Sequence, residues 1–339
     1  LSSDGLLSGT AGSATAENFS FDVKVTNAEG SFVKRYTSRV YSDFRLDNGA
    51  LLFGTASQGS INGAGLLNAP QFRNASGTAY KLTYGHSTLN SAIGVGDATG
   101  SWPPVPTITY FDQNSVLAGQ QLDLSKFNVT SLSNGYAIGY GEVRVRNTIS
   151  VPANLEITTT YELPPATSFL SVITDMKNVG STEIKNLTSW AGTRDDYVGY
   201  SDGPTKVRGT LAEDGTFIAN TLPTQQAKAL RITSNVSSDG GMQALFYSTA
   251  SGANMAWSGC CNFNNAVGQD PNTNAVSGTG DGSYAVVNQF GNVSVGATKS
   301  YDWYYIAGDT QSIGEATQAA AAAAAPPAPT LVRGDGQAQ

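Results

Sequence analysis

Charge is the first thing this chain lacks. Asp, Glu, Lys and Arg together make up 13% of it, against roughly a quarter in an average soluble domain. Nucleic acid is excluded as a partner, since displacing its counterions needs clustered Lys and Arg and the formal net charge is -7. Long apolar runs are missing too. No stretch reaches the roughly 18 residues that mark a membrane-spanning helix, so no span is expected. One histidine, His86, and two cysteines leave too few soft ligands for a conventional zinc site. No Walker loop, dinucleotide fingerprint, GxSxG elbow or HExxH occurs. Without a second histidine, no pair of groups with separated pKa values presents itself for general acid-base work. The chain is therefore not expected to be an enzyme, and Ca²⁺ is the one cofactor worth testing for.

What is present is a polar, uncharged, strand-forming text. Glycine is frequent (38 of 339), and Ser, Thr and Asn occupy positions that Lys and Glu usually fill, the composition of an extracellular or cell-surface β protein. Phe19, Phe21, Val23 and Val25 alternate with polar residues, as do Val143 and Val145, and Leu155 and Ile157. Alternation of period two predicts half-buried strands. Further strands are predicted over Thr107–Phe111, Phe169–Asn178, Glu183–Ala191, Ala229–Ser234, Gln243–Ser248, Ser283–Phe290 and Lys299–Ala307. Turn signals such as Asn48-Gly49 and Asp214-Gly215 bound many of them. No repeat of 20 to 50 residues is seen. The fold class expected is all-β, a large antiparallel β-sandwich. The glycine-rich Leu51–Gly100 segment is expected to form long loops or an insertion.

Three segments are distinguished: residues 1–150, β-rich with long loops; 151–309, the main sandwich part; and 310–339, an Ala/Pro-rich tail. Seven alanines, Ala319 to Ala325, precede Pro326. Alanine favours helix and proline stops it, so a helix is predicted over Ser312–Ala325. Bearing little more than methyl groups, it needs a surface its backbone can approach closely. Terminal segments this poor in apolar surface stay disordered unless tied down, so the tail is read as a connector to its own domain or to another copy. Thr330, Leu331 and Val332 are the assembly candidate, an extended strand for a sheet edge. Adjacent Cys260 and Cys261 either close an eight-membered disulfide ring or remain two thiols. Asn18, Asn74, Asn128, Asn186, Asn235 and Asn292 begin Asn-x-Ser/Thr sequons, acceptors for N-glycosylation in a cell that performs it.

Two stretches carry a resemblance. The first includes Tyr161, Leu163, Val172, Thr174, Asn178 and Gly180. The second runs Trp257-Ser258-Gly259-Cys260-Cys261-Asn262-Phe263, followed by Asp281-Gly282-Ser283-Tyr284 and Trp303 to Gly308. Together, over Val151–Gly308, they resemble galactose-mutarotase-like supersandwich domains of large secreted or cell-surface proteins. Enzymes of that kind place histidines and a carboxylate around a sugar ring. His86 alone, outside the matched region, does not reproduce that set.

Arg194, Asp195 and Asp196, with Asp202 nearby, form the densest charged cluster. With Trp190 they are the carbohydrate-binding candidates, and Asp195, Asp196 and Asp202 the Ca²⁺ candidates. Paired carboxylates also serve glycosidases. The plain alternative is a strand-end loop in which Arg194 pairs with an acid and Asp195 caps a turn. Asp270, Asn272, Asn274 and Asp281 make a second oxygen-rich loop without the EF-hand spacing. In Trp303-Tyr304-Tyr305, Trp303 and Tyr305 share a strand face and are expected in the core. The leading expectation is a structural subunit of an extracellular filament, sheath or surface layer, whose partners are copies of itself. The alternatives are a carbohydrate-binding or degenerate sugar-active module, with glycans as partner, and an adhesin segment.

Overall fold

The computed structural model describes residues 17–40 and 43–325, and the statements below concern these. The first described element is a hairpin. Glu17–Asn27 and Gly30–Val40 pair antiparallel with each other alone, and Val25, Phe32 and Val33 are exposed on it.

The body is a β-sandwich built from strands on both sides of residue 150. The large sheet runs Phe127–Ser133, Tyr136–Ile149, Leu155–Leu163, Phe169–Asn178, Thr298–Gly308, Gln243–Tyr247, Ala229–Thr233, Thr205–Leu211 and Phe217–Ala219. Its pairs are antiparallel, except that Asp43–Leu46 lies parallel to Tyr136–Ile149. The facing sheet runs Ala253–Gly259, Gly282–Val293, Ile184–Thr193, Asn90–Val95 and Thr107–Phe111. A third, small sheet joins Asp196–Gly199, Ala79–Thr83, Gln71–Arg73 and Leu51–Leu52.

Alternation decides what fills the space between. Along Tyr136–Ile149, Val143, Val145 and Ile149 are buried while Arg144 and Arg146 stay exposed. On Thr298–Gly308, Trp303 and Tyr305 enter the central core with Phe246. Tyr304 and Ile306 point to the opposite face, so all three aromatics of the run are buried, Tyr304 beneath a helix.

Two helices cover the outer faces. The first, α1 (Phe263–Val267), has Asn262 as its N-cap, accepting from the Asn264 N–H. It is too short to leave a periodic signature, and the sequence did not point to it. The second, α2 (Ile313–Ala324), lies within the predicted Ser312–Ala325 span. Ala316 and Ala320 pack on Phe169, Leu211, Ala229, Leu245, Tyr304 and Ile306. Glycines make the close approach: a methyl on Gly215, whose φ is +81°, would sit 2.4 Å from Gln318 Cα. The alanine segment thus docks on its own sheet.

Leu51–Gly100 differs from expectation. It holds four strands, Leu51–Leu52, Gln71–Arg73, Ala79–Thr83 and Asn90–Val95. They are short, and Asn90–Val95 is buried on nearly every residue, so it cannot show the alternation of a half-buried strand.

Candidate functional site

Strand pairing gathers three distant loops at one end of the sandwich. Thr193 lies opposite Tyr284, and Gly259 opposite Gly282. The segments after 193, after 259 and before 282 must therefore meet. Ser283 fastens them, its Oγ lying 2.6 Å from the Arg194 carbonyl and 3.1 Å from that of Asn262. The Cys260 N–H donates to the Asp281 carbonyl at 3.2 Å. On the fourth side, the Tyr84 N–H donates to the Asp195 carbonyl at 3.3 Å.

Asp195 and Asp281, 86 residues apart, face each other at this junction. A carboxylate oxygen of each and the sulfurs of Cys260 and Cys261 all lie within 4.8 Å of one another. Asp281 Oδ2 is 3.6 Å from Cys261 Sγ. Asp195 is 9% exposed, and its Oδ1 has no hydrogen-bond partner. Burial, then repulsion from Asp281 and Asp202, pushes its carboxyl up to about 6. Burial, then Asp202, also raises Asp281. Ionising either carboxyl opposes ionising the other.

Asp196 turns the other way. It is fully buried, its Oδ2 2.6 Å from Lys206 Nζ, and its Oδ1 accepts from the Gly282 N–H at 3.1 Å. Burial pushes its carboxyl up to about 7 against the pull of Lys206. Arg208, two residues along, is also fully buried, donating to the carbonyls of Pro223, Asn274 and Pro271 and to Asn254 Oδ1. Residue-level reading missed Lys206, Arg208 and Ser283.

The structure redistributes the expected site residues. Trp190, expected at a sugar-binding surface, is 0% exposed; it packs with Val105, Phe263 and Val267, edge-on to Trp102 at 6.4 Å. It cannot stack on a ligand. Asp196 is likewise withdrawn from both the sugar and the Ca²⁺ sets, because Lys206 already neutralises it. Arg194 is half-buried beside Asp195, and Asp202 is exposed, acting on Asp195 through its charge. Cys260 and Cys261 are bridged. In the second oxygen-rich loop, Asp270 Oδ1 accepts from the Asn272 N–H and side chain, and Asn274 is buried, tied to Trp257. Only Asp281 of that loop reaches the acid pair.

His86 closes the short helical turn Tyr84–His86, so the fold brings it to the end where Asp195 sits. Burial, then Lys81, lowers its pKa. Tyr84 is 51% exposed and meets Tyr197 edge-on at 6.0 Å. Among the sequons, Asn128 is exposed, whereas Asn186 is half-buried and commits its amide to the Gly96 carbonyl. The amides of Asn235 and Asn292 also hold partners, the Gly203 carbonyl and Glu183; Asn74 uses its side-chain oxygen to close a turn. The Asn18 side chain and the Thr330–Val332 strand lie outside the described residues. A cavity of about 70 Å³ lies between the sheets, lined by Asn147, Tyr161, Thr174, Ser189 and Tyr301. It is far below the roughly 300 Å³ of ligand pockets. Among the described residues no helix is long and apolar enough to cross a membrane.

The sequence matches no protein-family model and none of the curated proteins. Solved structures to which the chain is similar include a TPR-domain containing protein from Parabacteroides distasonis (11% identity, 86% of this chain and 55% of that one, TM-score 0.41). An alpha-N-acetylgalactosaminidase from Bifidobacterium bifidum is similar over 79% of this chain and 36% of that one (10% identity, TM-score 0.36). A galactose mutarotase related enzyme from Lactobacillus acidophilus is similar over 79% and 98% (9% identity, TM-score 0.34). The chain thus spans about half, or less, of the first two.

Proposed function

We propose that this β-sandwich is a carbohydrate-binding domain whose ligand sits on the junction of Asp195, Asp281, the Cys260–Cys261 ring and the Tyr84 turn. One observation supports this above the others: a nearly buried carboxylate with an unpartnered oxygen is joined through its backbone to the turn that carries the exposed Tyr84. Sugar hydroxyls donate to carboxylates, and the C–H face of a sugar ring packs on flat apolar surface. The site offers both within one cluster of loops. Calorimetry or saturation-transfer NMR against a panel of neutral and acidic oligosaccharides tests it. Asp281→Asn and Tyr84→Ala should each weaken binding by roughly tenfold, about 1.4 kcal/mol, the scale of one hydrogen bond to a charged group or one stacking contact. If none of the panel binds, or both variants bind as the parent does, this reading is wrong.

A second reading, a structural subunit of an extracellular filament, sheath or surface layer, draws on the hairpin of Glu17–Asn27 and Gly30–Val40. It pairs with no other strand among the described residues and exposes Phe32 and Val33. Isolated two-stranded hairpins are marginal in water, and an edge of another copy would complete this one. Electron microscopy of the purified chain, with and without residues 17–40, should show filaments or sheets that vanish on truncation; single particles in both samples would dismiss it.

A further inference from the structure

We propose that Asp195, Cys260, Cys261 and Asp281 form a reduction-gated site for a thiophilic divalent cation of the zinc class, closed while the disulfide is intact and open once it is reduced. The inference does not rest on the carbohydrate reading, since it requires the sulfurs as thiolates and is read out with no sugar present.

Three observations carry it. The donor set is the first: two sulfurs and two carboxylate oxygens, all within 4.8 Å of one another. In a tetrahedral zinc site with Zn–S about 2.3 Å and Zn–O about 2.1 Å, ligand atoms stand about 3.5 Å apart. Closing the cluster onto an ion therefore takes the two sulfurs, bonded to each other while the bridge is intact, apart to about that spacing. The second is the Asp195 Oδ1, an acceptor without a partner on a residue 9% exposed. Buried acceptors are normally satisfied, and this one belongs to a carboxylate of the donor cluster. The third is preorganisation. Ser283 fixes the backbones that carry Asp195 and the cysteine turn, and the Cys260 N–H holds the Asp281 carbonyl. Arg194 offsets part of the negative charge at Asp195, while Asp202 adds to it at both acids, so the cation itself must balance the thiolates.

The chemistry balances with an external dithiol as reductant. One of its thiolates attacks a cysteine sulfur, giving a mixed disulfide and releasing the other cysteine as a thiol. Its second thiol resolves that intermediate, so the reductant leaves as a disulfide and Cys260 and Cys261 as two thiols. The cation then displaces the two thiol protons, which go to solvent. A disulfide sulfur has no such anion to offer, which is why the intact bridge closes the site. Neighbouring carboxylates oppose thiolate formation, so affinity should rise with pH.

Cadmium titration of the full chain tests the proposal. The protein is reduced with a phosphine, desalted without oxygen, and followed by the thiolate-to-cadmium charge-transfer absorption; an unreduced sample runs beside it. One Cd²⁺ per reduced chain and none per oxidised chain is expected, with zinc competing for the same site. Asp281→Asn and Asp195→Asn, which keep both thiols, should each lose about tenfold or more in affinity. Circular dichroism and melting of each reduced sample without metal establish that the fold is intact. Equal cadmium uptake by reduced and oxidised chains overturns the proposal. So does parental affinity in both Asn variants, because the dithiol alone would then be holding the ion.

Discussion

Asp195 and Asp196 are neighbours in sequence and opposites in environment. Asp196 opens a strand and points inward, where Lys206 meets it at 2.6 Å and the Gly282 N–H at 3.1 Å. Asp195 points to the rim, toward another acid and a pair of sulfurs, with one oxygen unpartnered. Successive side chains of extended backbone alternate in direction, so a one-residue step separates a structural charge from a reactive one. The interior acid is held by Lys206 and the Gly282 N–H, and burial still raises it to about 7. The rim acid carries the repulsion of Asp281 and Asp202, and a ligand that relieves it gains affinity from the relief. Functional sites are where such unmet demands collect.

The largest effect should come from breaking the interior bridge. Lys206→Met leaves Asp196 buried without its cation, and a loss of about 3–5 kcal/mol is expected, the scale for removing one partner of a buried pair. Chemical denaturation at pH 7.5 measures it. The loss should shrink at pH 5, because burial has already raised Asp196 and a protonated carboxyl no longer needs Lys206. A loss that is constant with pH would mean the bridge is not held by charge. Next comes Gly282→Ala. Its methyl would sit 2.7 Å from both Lys206 Cε and the Ser258 carbonyl oxygen, closer than packed atoms tolerate. A cost of about 1–3 kcal/mol is expected from overpacking, again read by denaturation. An unchanged midpoint would show that the bridge can slide aside.

Much of the sandwich was legible because alternation marks half-buried strands: Thr107–Phe111 and Phe169–Asn178 are strands with the expected bounds. The interior bridge was not. Thr205–Leu211 reads Thr-Lys-Val-Arg-Gly-Thr-Leu, a pattern that ordinarily sends Lys and Arg to water and Val to the core. The register is reversed: Lys206 and Arg208 are 1% and 0% exposed. They enter because four backbone carbonyls and Asp196 await them, partners that no local pattern reveals. The rim site was legible in pieces. Asp195, Asp281 and the cysteine pair each stood out as a residue of interest, but only the pairing of Gly282–Val293 with strands on either side brings them together. Trp190 misled for the same reason: a tryptophan beside acids looks like a stacking platform until the covering helix α1, five residues long, is known.

Asp195→Asn should give the smallest effect, and one of opposite sign. The folded-state pKa of Asp195 is raised from 3.8 to about 6, so between these values the native state binds a proton that the unfolded chain has released. Stability contributed by this group therefore falls as pH rises from about 4 to about 6, and stays low above that. Asparagine cannot ionise, so it carries none of this pH-dependent loss. The variant should match the parent near pH 4 and melt at a higher temperature at pH 7.5, the gap opening across the same interval. Melting curves for both proteins at steps from pH 4 to pH 8 decide it. Parallel profiles, or a variant less stable at pH 7.5, would mean that the rim acid is as well satisfied as its buried neighbour, and the contrast between the two would collapse.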